Sequence, residues 1–161
     1  LASRRGKHRT LRAGITKKER EEYKKLLSEL DLGLENRMTA KVGLLSGGQR
    51  QALTLLMASL NCPKLLLLDE HTAALDPKTA AKVLDITQRI VENNHLTTLM
   101  ITHNMKDAIA YGNRLIMLHE GQIIIDVSGE EKKNLTVEDL LTLFNKASGT
   151  VFANDRAILS D

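Results

Sequence analysis

Leu65-Leu66-Leu67-Leu68-Asp69-Glu70, followed by Ala73-Ala74-Leu75-Asp76-Pro77, is the stretch on which the fold turns. Four leucines bounded by Pro63 and by two carboxylates read as a short buried strand of a parallel sheet. Leucine is a modest strand former, so brevity and flanking turn signals carry this reading. Asp76-Pro77 is an N-cap followed by proline at the first helical position, where a missing N–H leaves nothing unsatisfied. A helix to about Asn93 follows, and Thr97-Thr98-Leu99-Met100-Ile101 reads as the next strand. Strand, helix and strand in succession predict an α/β layer.

Upstream the chain reads as helical. Thr16 and Glu19 form a capping box for a helix reaching Leu30, with apolar residues at Tyr23, Leu26, Leu27 and Leu30. Gly33 and Asn36 mark a break. A second helix opens at Ser46 and continues through Ala52-Leu53-Thr54-Leu55-Leu56-Met57-Ala58-Ser59-Leu60, apolar on nearly every face and so expected to be buried. Downstream, Asn104 and Asp107 open a short helix to Tyr111. Residues 114–118 and 122–125 flank a turn at Glu120-Gly121 as a hairpin, and Thr136 to Asp139 caps a last helix to about Lys146, with a loose tail after Gly149. No internal repeat or low-complexity tract interrupts this order.

The 161 residues carry 23 basic and 20 acidic side chains, a net charge of +3, with 42% hydrophobic residues, which is a globular balance. No apolar run reaches the ~18 residues of a membrane span, and no apolar signal core follows the first basic residues, which argues against export. A single cysteine, Cys62, excludes an internal disulfide and fits a reducing compartment. Only four aromatics occur, few for a protein that stacks bases. Charge is uneven: residues 1–25 carry ten Lys/Arg and three Glu, or +7, and the remaining 136 carry 13 basic and 17 acidic, or −4. The basic lead-in either seeks phosphate or an anionic surface, or is a solvated helical face; the lack of interleaved aromatics favours the latter.

Chemistry concentrates in three places. Two consecutive glycines in Leu45-Ser46-Gly47-Gly48-Gln49-Arg50 cost roughly 1 kcal/mol each at a helix start relative to alanine. They make sense where backbone N–H groups approach a ligand closely, and a capped helix N-terminus suits a phosphate oxygen. An ordinary capped helix after a glycine turn is the alternative. Asp69 and Glu70 would face opposite sides of a regular strand, so one could hold hydrated Mg²⁺ while the other orients or deprotonates a water; a solvated pair is the plainer reading. His103, just past the end of the next strand, is either structural or set in the crevice where α/β sheets bind ligands.

Taken together these residues resemble the ATP-binding cassette family. Leu45, Ser46, Gly47, Gly48 and Gln49 look like its signature motif, Leu65 to Glu70 like Walker B with the catalytic glutamate, Ala73 to Asp76 like the D-loop, and His103 like the switch histidine. The resemblance implies a partial P-loop NTPase cassette of the α/β class: residues 1–62 as the helical subdomain, and 63–161 as the distal half of the RecA-like core with its hairpin and last helix. It implies an ATPase working with ATP and Mg²⁺ as a head-to-tail dimer. In that dimer Ser46, Gly47 and Gly48 meet the γ-phosphate held by a second copy, Asp69 holds Mg²⁺, Glu70 polarises the attacking water, His103 contacts the γ-phosphate, and Ala74, Leu75 and Asp76 couple the two sites.

The departures are specific. No Gly-x-x-x-x-Gly-Lys-Ser/Thr occurs; Gly43 and Gly48 have the glycine spacing but are followed by Gln49-Arg50. The resemblance therefore places the phosphate loop, the glutamine loop and the adenine-stacking aromatic upstream of Leu1, and implies that the chain alone is inactive. His71 stands where the family usually has proline, and Ala52 and Met57 where arginines are common. Leu66 to Pro77, Thr98 to Gly112 and Ser128 to Lys133 are similar to a group of bacterial importer ATPases. The resemblance implies an integral membrane permease, indirectly a solute-binding protein, an amino acid or related small solute, and a peripheral position on the cytoplasmic face of the plasma membrane. A non-transport cassette ATPase acting on ribosomes or nucleic acid is the competing reading. It rests on the arm Arg4-Arg5-Gly6-Lys7-His8-Arg9 alone, and no sustained heptads support a chromosome-maintenance relative.

Overall fold

The computed structural model describes the fold of residues 15–158 and the side chains of residues 15–147. The basic segment 4–12 lies outside the described residues. Two compact units divide between Ile101 and Thr102.

In the first unit α1 (Lys17–Ser28) starts on a complete capping box: Thr16 Oγ1 accepts from Glu19 N at 3.2 Å, and the Glu19 carboxylate accepts from Thr16 N at 2.7 Å. The helix stops short of Leu30, which lies beyond its end and is buried. Two single-turn 3-10 segments, Leu34–Asn36 and Val42–Leu44, lead to α2 (Gly47–Ser59). Then come β1 (Leu66–Asp69), α3 (Pro77–Asn93) and β2 (Thr98–Ile101). The strands pair in parallel, Leu66 opposite Thr98 through Asp69 opposite Ile101, with α3 as the crossover.

One core holds this unit together. Leu30, Leu34, Leu45, Ala52 and Leu55 cluster with Leu66, Leu68, Ile86 and Leu96. The cluster draws on residues from both sides of residue 62, and the two compact units part at 101/102. Ala52 is completely buried in it, which explains a small side chain there: an arginine would have to displace core leucines.

The structure corrects two burial expectations. Along α2, Gly48, Ala52, Leu55 and Ser59 are buried, while Met57 is 44% exposed. The leucine strand is buried on one face only: Leu66 and Leu68 face the core, whereas Leu67 is 64% exposed and its neighbours Leu99 and Ile101 51% each. A continuous apolar run encodes cover on both faces of a parallel sheet; in this chain α2 and α3 supply one cover.

In the second unit α4 (Met105–Ala110) is capped by Asn104, whose Oδ1 accepts from Lys106 N at 3.0 Å. Strands β3 (Arg114–His119) and β4 (Gln122–Ser128) form the antiparallel hairpin, with a register shift at Met117/Leu118. Its two turn residues, Glu120 (φ 48°) and Gly121 (φ 78°), are both left-handed, as a twisted two-residue hairpin turn requires. Across the hairpin Arg114 grips Asp126 bidentately, Nε to Oδ1 at 2.8 Å, which raises the guanidinium pKa and lowers that of the carboxyl. A five-residue helix absent from the sequence expectation, α5 (Gly129–Lys133), buries Lys132. Its ammonium donates to Ile109 O near the C-terminus of α4, while burial lowers its pKa. Finally α6 (Val137–Ile158) starts at the expected Thr136–Asp139 box and runs past residue 146, continuing through Gly149, which a helix tolerates. Leu140 of α6 packs with Leu115, Ile125 and Val127 as the second core.

Apolar exposure on a two-stranded sheet with bare edges predicts self-association. Light scattering of the 161-residue chain at high concentration should give a mass above that of one chain, and Leu67→Lys with Leu99→Lys should return it to the monomer. A monomeric mass for the unmodified chain would contradict the expectation.

Candidate functional site

The site begins at the first turn of α2. Ser46 is the N-cap: its Oγ accepts from Gln49 N at 3.3 Å, and Gln49 Oε1 accepts from Ser46 N at 3.1 Å. The first intrahelical bond joins Arg50 N to Ser46 O. The box thus engages the N–H groups of residues 46 and 49, and those of Gly47 and Gly48 are the ones the helix itself cannot use. Ser46 Oγ acts as acceptor in the cap, so its own proton can go to an incoming oxygen. Gln49 also donates from Nε2 to Leu32 O at 3.0 Å, and Arg37 donates to Leu44 O at 3.4 Å, so the loop before the helix is held from both sides.

The glycines have a second reason to be there. A Cβ on Gly48 would lie 2.3 Å from Thr79 Cγ2, and one on Gly47 would lie 2.9 Å from Leu75 Cδ2. Residues 47 and 48 are therefore small because α2 starts hard against the loop and first turn of α3, in addition to any ligand reason. Asp76 caps α3, accepting from Thr79 N at 3.1 Å. The Thr79 hydroxyl first, and its amide second, hold the Asp76 carboxyl below its ordinary value. The structure brings Gly47 and Gly48 together with Leu75 and Thr79; Ala74 is exposed in the same loop.

Asp69 is the last residue of β1, exposed and paired in register with Ile101. The strand does not continue regularly beyond it, so the simple alternation expected of the two carboxylates fails at Glu70. Glu70 has φ 42°, a left-handed backbone that costs a non-glycine residue about 1–3 kcal/mol. Its N–H still donates to Ile101 O at 3.0 Å, and its carbonyl accepts from Ala73 N at 3.0 Å, closing a turn. The next residue, His71, is half-buried: its Nε2 lies 3.1 Å from Thr87 Oγ1 on α3, and burial lowers its pKa, favouring the neutral ring. His103 lies in the second unit, in the loop ahead of α4, and is exposed.

Asp69 offers one exposed hard carboxylate, and no cluster of three or more His, Cys, Asp or Glu suited to a metal occurs among the described residues. That donor set fits Mg²⁺, which is usually held by one or two carboxylates plus phosphate and water. A cavity of about 350 Å³ in the second unit, lined by Ile125, Val127, Glu131 and Leu143 among others, includes none of the candidate residues.

Sequence reasoning missed Thr79, Val83 and Thr87. They recur every four residues along the buried face of α3, Val83 also lying 3.7 Å from the Cβ position of Gly48. The β-branched spacing was legible as a helix face; its partners, Gly48 and His71, were not.

Residues 3–73 match the family model described as ABC transporter. A tyrosine transport ATP-binding protein of Clostridioides difficile is 56% identical over 122 residues, 76% of this chain and 49% of that protein. Among solved structures, a putative metal-chelate type ABC transporter in an inward-facing conformation is similar with a TM-score of 0.64 at 28% identity, covering 84% of this chain and 52% of that one. A dimeric ATP-binding cassette in a post-hydrolysis state, bound to ADP and Pi, has a TM-score of 0.57 at 29% identity, covering 73% and 50%. The chain thus spans about half the length of the relatives it matches.

Helix propensity alone predicts that Gly48→Ala stabilises. The Thr79 contact predicts the reverse, a loss of about 1–2 kcal/mol by chemical denaturation, largely recovered in Gly48→Ala/Thr79→Ser, which removes the obstructing methyl. The lowered Asp76 pKa implies that its cap is fully effective above its ordinary 3.8 and is lost as pH falls through the depressed value. Asp76→Asn, which caps without a charge, should therefore lose less stability on acidification than the unmodified chain, measured by thermal unfolding across that range.

Proposed function

Because the chain belongs to the ATP-binding cassette family of transporter ATPases and spans about half the length of its relatives, we propose that it supplies the signature-bearing half of an ATP site in a bacterial importer of amino acids or a related small solute. The observation that carries this reading is the start of α2: two glycine amides outside the capping box and a Ser46 hydroxyl that accepts within it and keeps its proton to donate, with both glycines packed against the loop and first turn of α3. Such a surface binds a phosphate oxygen through aligned N–H groups and the positive end of the helix. The tyrosine transport relative supports an amino acid as cargo.

In this reading residues 1–62 act as the signature subdomain and 63–161 as the distal part of the ATPase core. Leu45 and Gln49 hold the loop while Ser46, Gly47 and Gly48 take the γ-phosphate of ATP bound by a second copy, an arrangement the dimeric cassette with ADP and Pi supports. Asp69 would hold Mg²⁺, which neutralises charge on the phosphates. Glu70 orients the attacking water and accepts its proton, His103 donates to the γ-phosphate, and Ala74, Leu75 and Asp76 transmit closure between the two copies. Phosphoryl transfer asks little covalent chemistry of a protein, so positioned amides and one oriented water suffice. No helix among the described residues is long and apolar enough to cross a membrane. The partner that spans it is a permease, with a solute-binding protein acting through it, and this subunit sits on the cytoplasmic face.

In the cassette completed by its phosphate-loop half, Glu70→Gln should lower ATP turnover by about 10²-fold or more while leaving nucleotide binding intact, since the amide positions water but cannot take its proton. Steady-state hydrolysis beside equilibrium ATP binding measures both; near wild-type turnover would remove Glu70 from the role. The 161-residue chain alone should show no thermal shift with millimolar ATP.

A further inference from the structure

Glu70 holds a left-handed backbone that its side chain does not favour. Such a conformation persists only where the surroundings over-determine it. Two restraints are backbone bonds, Glu70 N to Ile101 O and Ala73 N to Glu70 O, both at 3.0 Å. A third comes from the following side chain. Thr87 is buried, and its hydroxyl gives its single proton to Val83 O at 2.8 Å. Its oxygen, 3.1 Å from His71 Nε2, can then only accept, so this bonding network places a proton on Nε2 and makes His71 the donor. The imidazole thereby fastens the turn after Glu70 to the third turn of α3, the same helix whose first turn carries the Asp76 cap and packs on Gly48.

We propose that His71, donating to Thr87, is a positioning residue for Glu70: it fixes the turn from which the Glu70 carboxylate reaches the attacking water. The inference rests on the role given to Glu70 above. A proline at this position would stiffen the chain covalently, whereas a histidine does so through a tether to α3, which can be cut without altering the backbone chemistry. Because the tether acts on the orientation of a base and not on nucleotide contacts, its loss should appear in kcat and not in KM.

The test uses the completed cassette. His71→Ala should lower kcat for ATP hydrolysis by about 10-fold or more with KM changed less than about twofold, since displacing a base by a fraction of an ångström suffices for losses of this order. Thr87→Val, nearly isosteric and lacking the acceptor, should lose the same factor; the double variant should lose no more than either alone, and His71→Gln, which places an N–H near Nε2, should recover most of the rate. Equal kcat in Thr87→Val and wild type, additive losses in the double variant, or a loss confined to KM would each overturn the inference while Glu70→Gln remains inactive. Thr87→Val carries the test where His71→Ala does not fold. A completed wild-type cassette that fails to hydrolyse Mg-ATP would instead overturn the function proposed for Glu70.

Discussion

The buried face of α3 is the constraint from which the first unit takes its form. Thr79, Val83, Ile86 and Thr87 lie along it, and together they meet three other parts of the chain. Thr79 and Val83 set how closely α2 approaches, Ile86 joins the leucines of β1 in the core, and Thr87 receives His71. The helix is fixed at its start by Asp76 and Pro77 and at its end by the loop into β2. Once it is in place, the start of α2, the end of β1 and the turn after Glu70 have little freedom. These elements carry Ser46, Gly47, Gly48, Asp69 and Glu70, to which the proposed function gives chemical roles.

Packing alone already asks for small residues at Gly47 and Gly48, and the phosphate contact proposed for them would add a second demand. A helix start that needed only to bind phosphate could dispense with a close neighbour; one that needed only to pack could use alanine with a smaller partner. Gly48 meets the packing demand and leaves its amide for the proposed one. The two-stranded sheet makes a complementary point. Leu66 and Leu68 are covered while Leu67, Leu99 and Ile101 are not, so the sequence is written for a sheet with a second layer, in keeping with a chain that spans about half the length of its relatives.

Much of this was legible from residues alone, for local reasons. Capping boxes at Thr16, Ser46 and Thr136 and the Asp76-Pro77 start are rules of nearest neighbours in sequence, and all four helices begin where these rules place them. The hairpin turn at Glu120-Gly121 and the parallel strands around α3 were equally local. What escaped was long-range or depended on cover. The apolar runs in α2 and β1 announce two buried faces, and no pattern within the chain tells that one is bare. The left-handed turn at Glu70 has no glycine to mark it, and the His71–Thr87 bond spans sixteen residues. The candidate site residues Ser46 to Gln49 and Asp69 to Asp76 were legible as motifs, but the contact of Gly48 with Thr79 was not.

The proposed function has Ser46, Gly47 and Gly48 complete a nucleotide site whose phosphate loop belongs to a second copy. The structure of the completed cassette with Mg-ATP tests this most directly, captured in a variant that binds but does not hydrolyse. A head-to-tail dimer is expected, with the amides of Gly47 and Gly48 and the hydroxyl of Ser46 within hydrogen-bond distance of the terminal phosphate of the facing copy. A saturated cassette that stays monomeric, or a dimer with the start of α2 turned away from that phosphate, would contradict it.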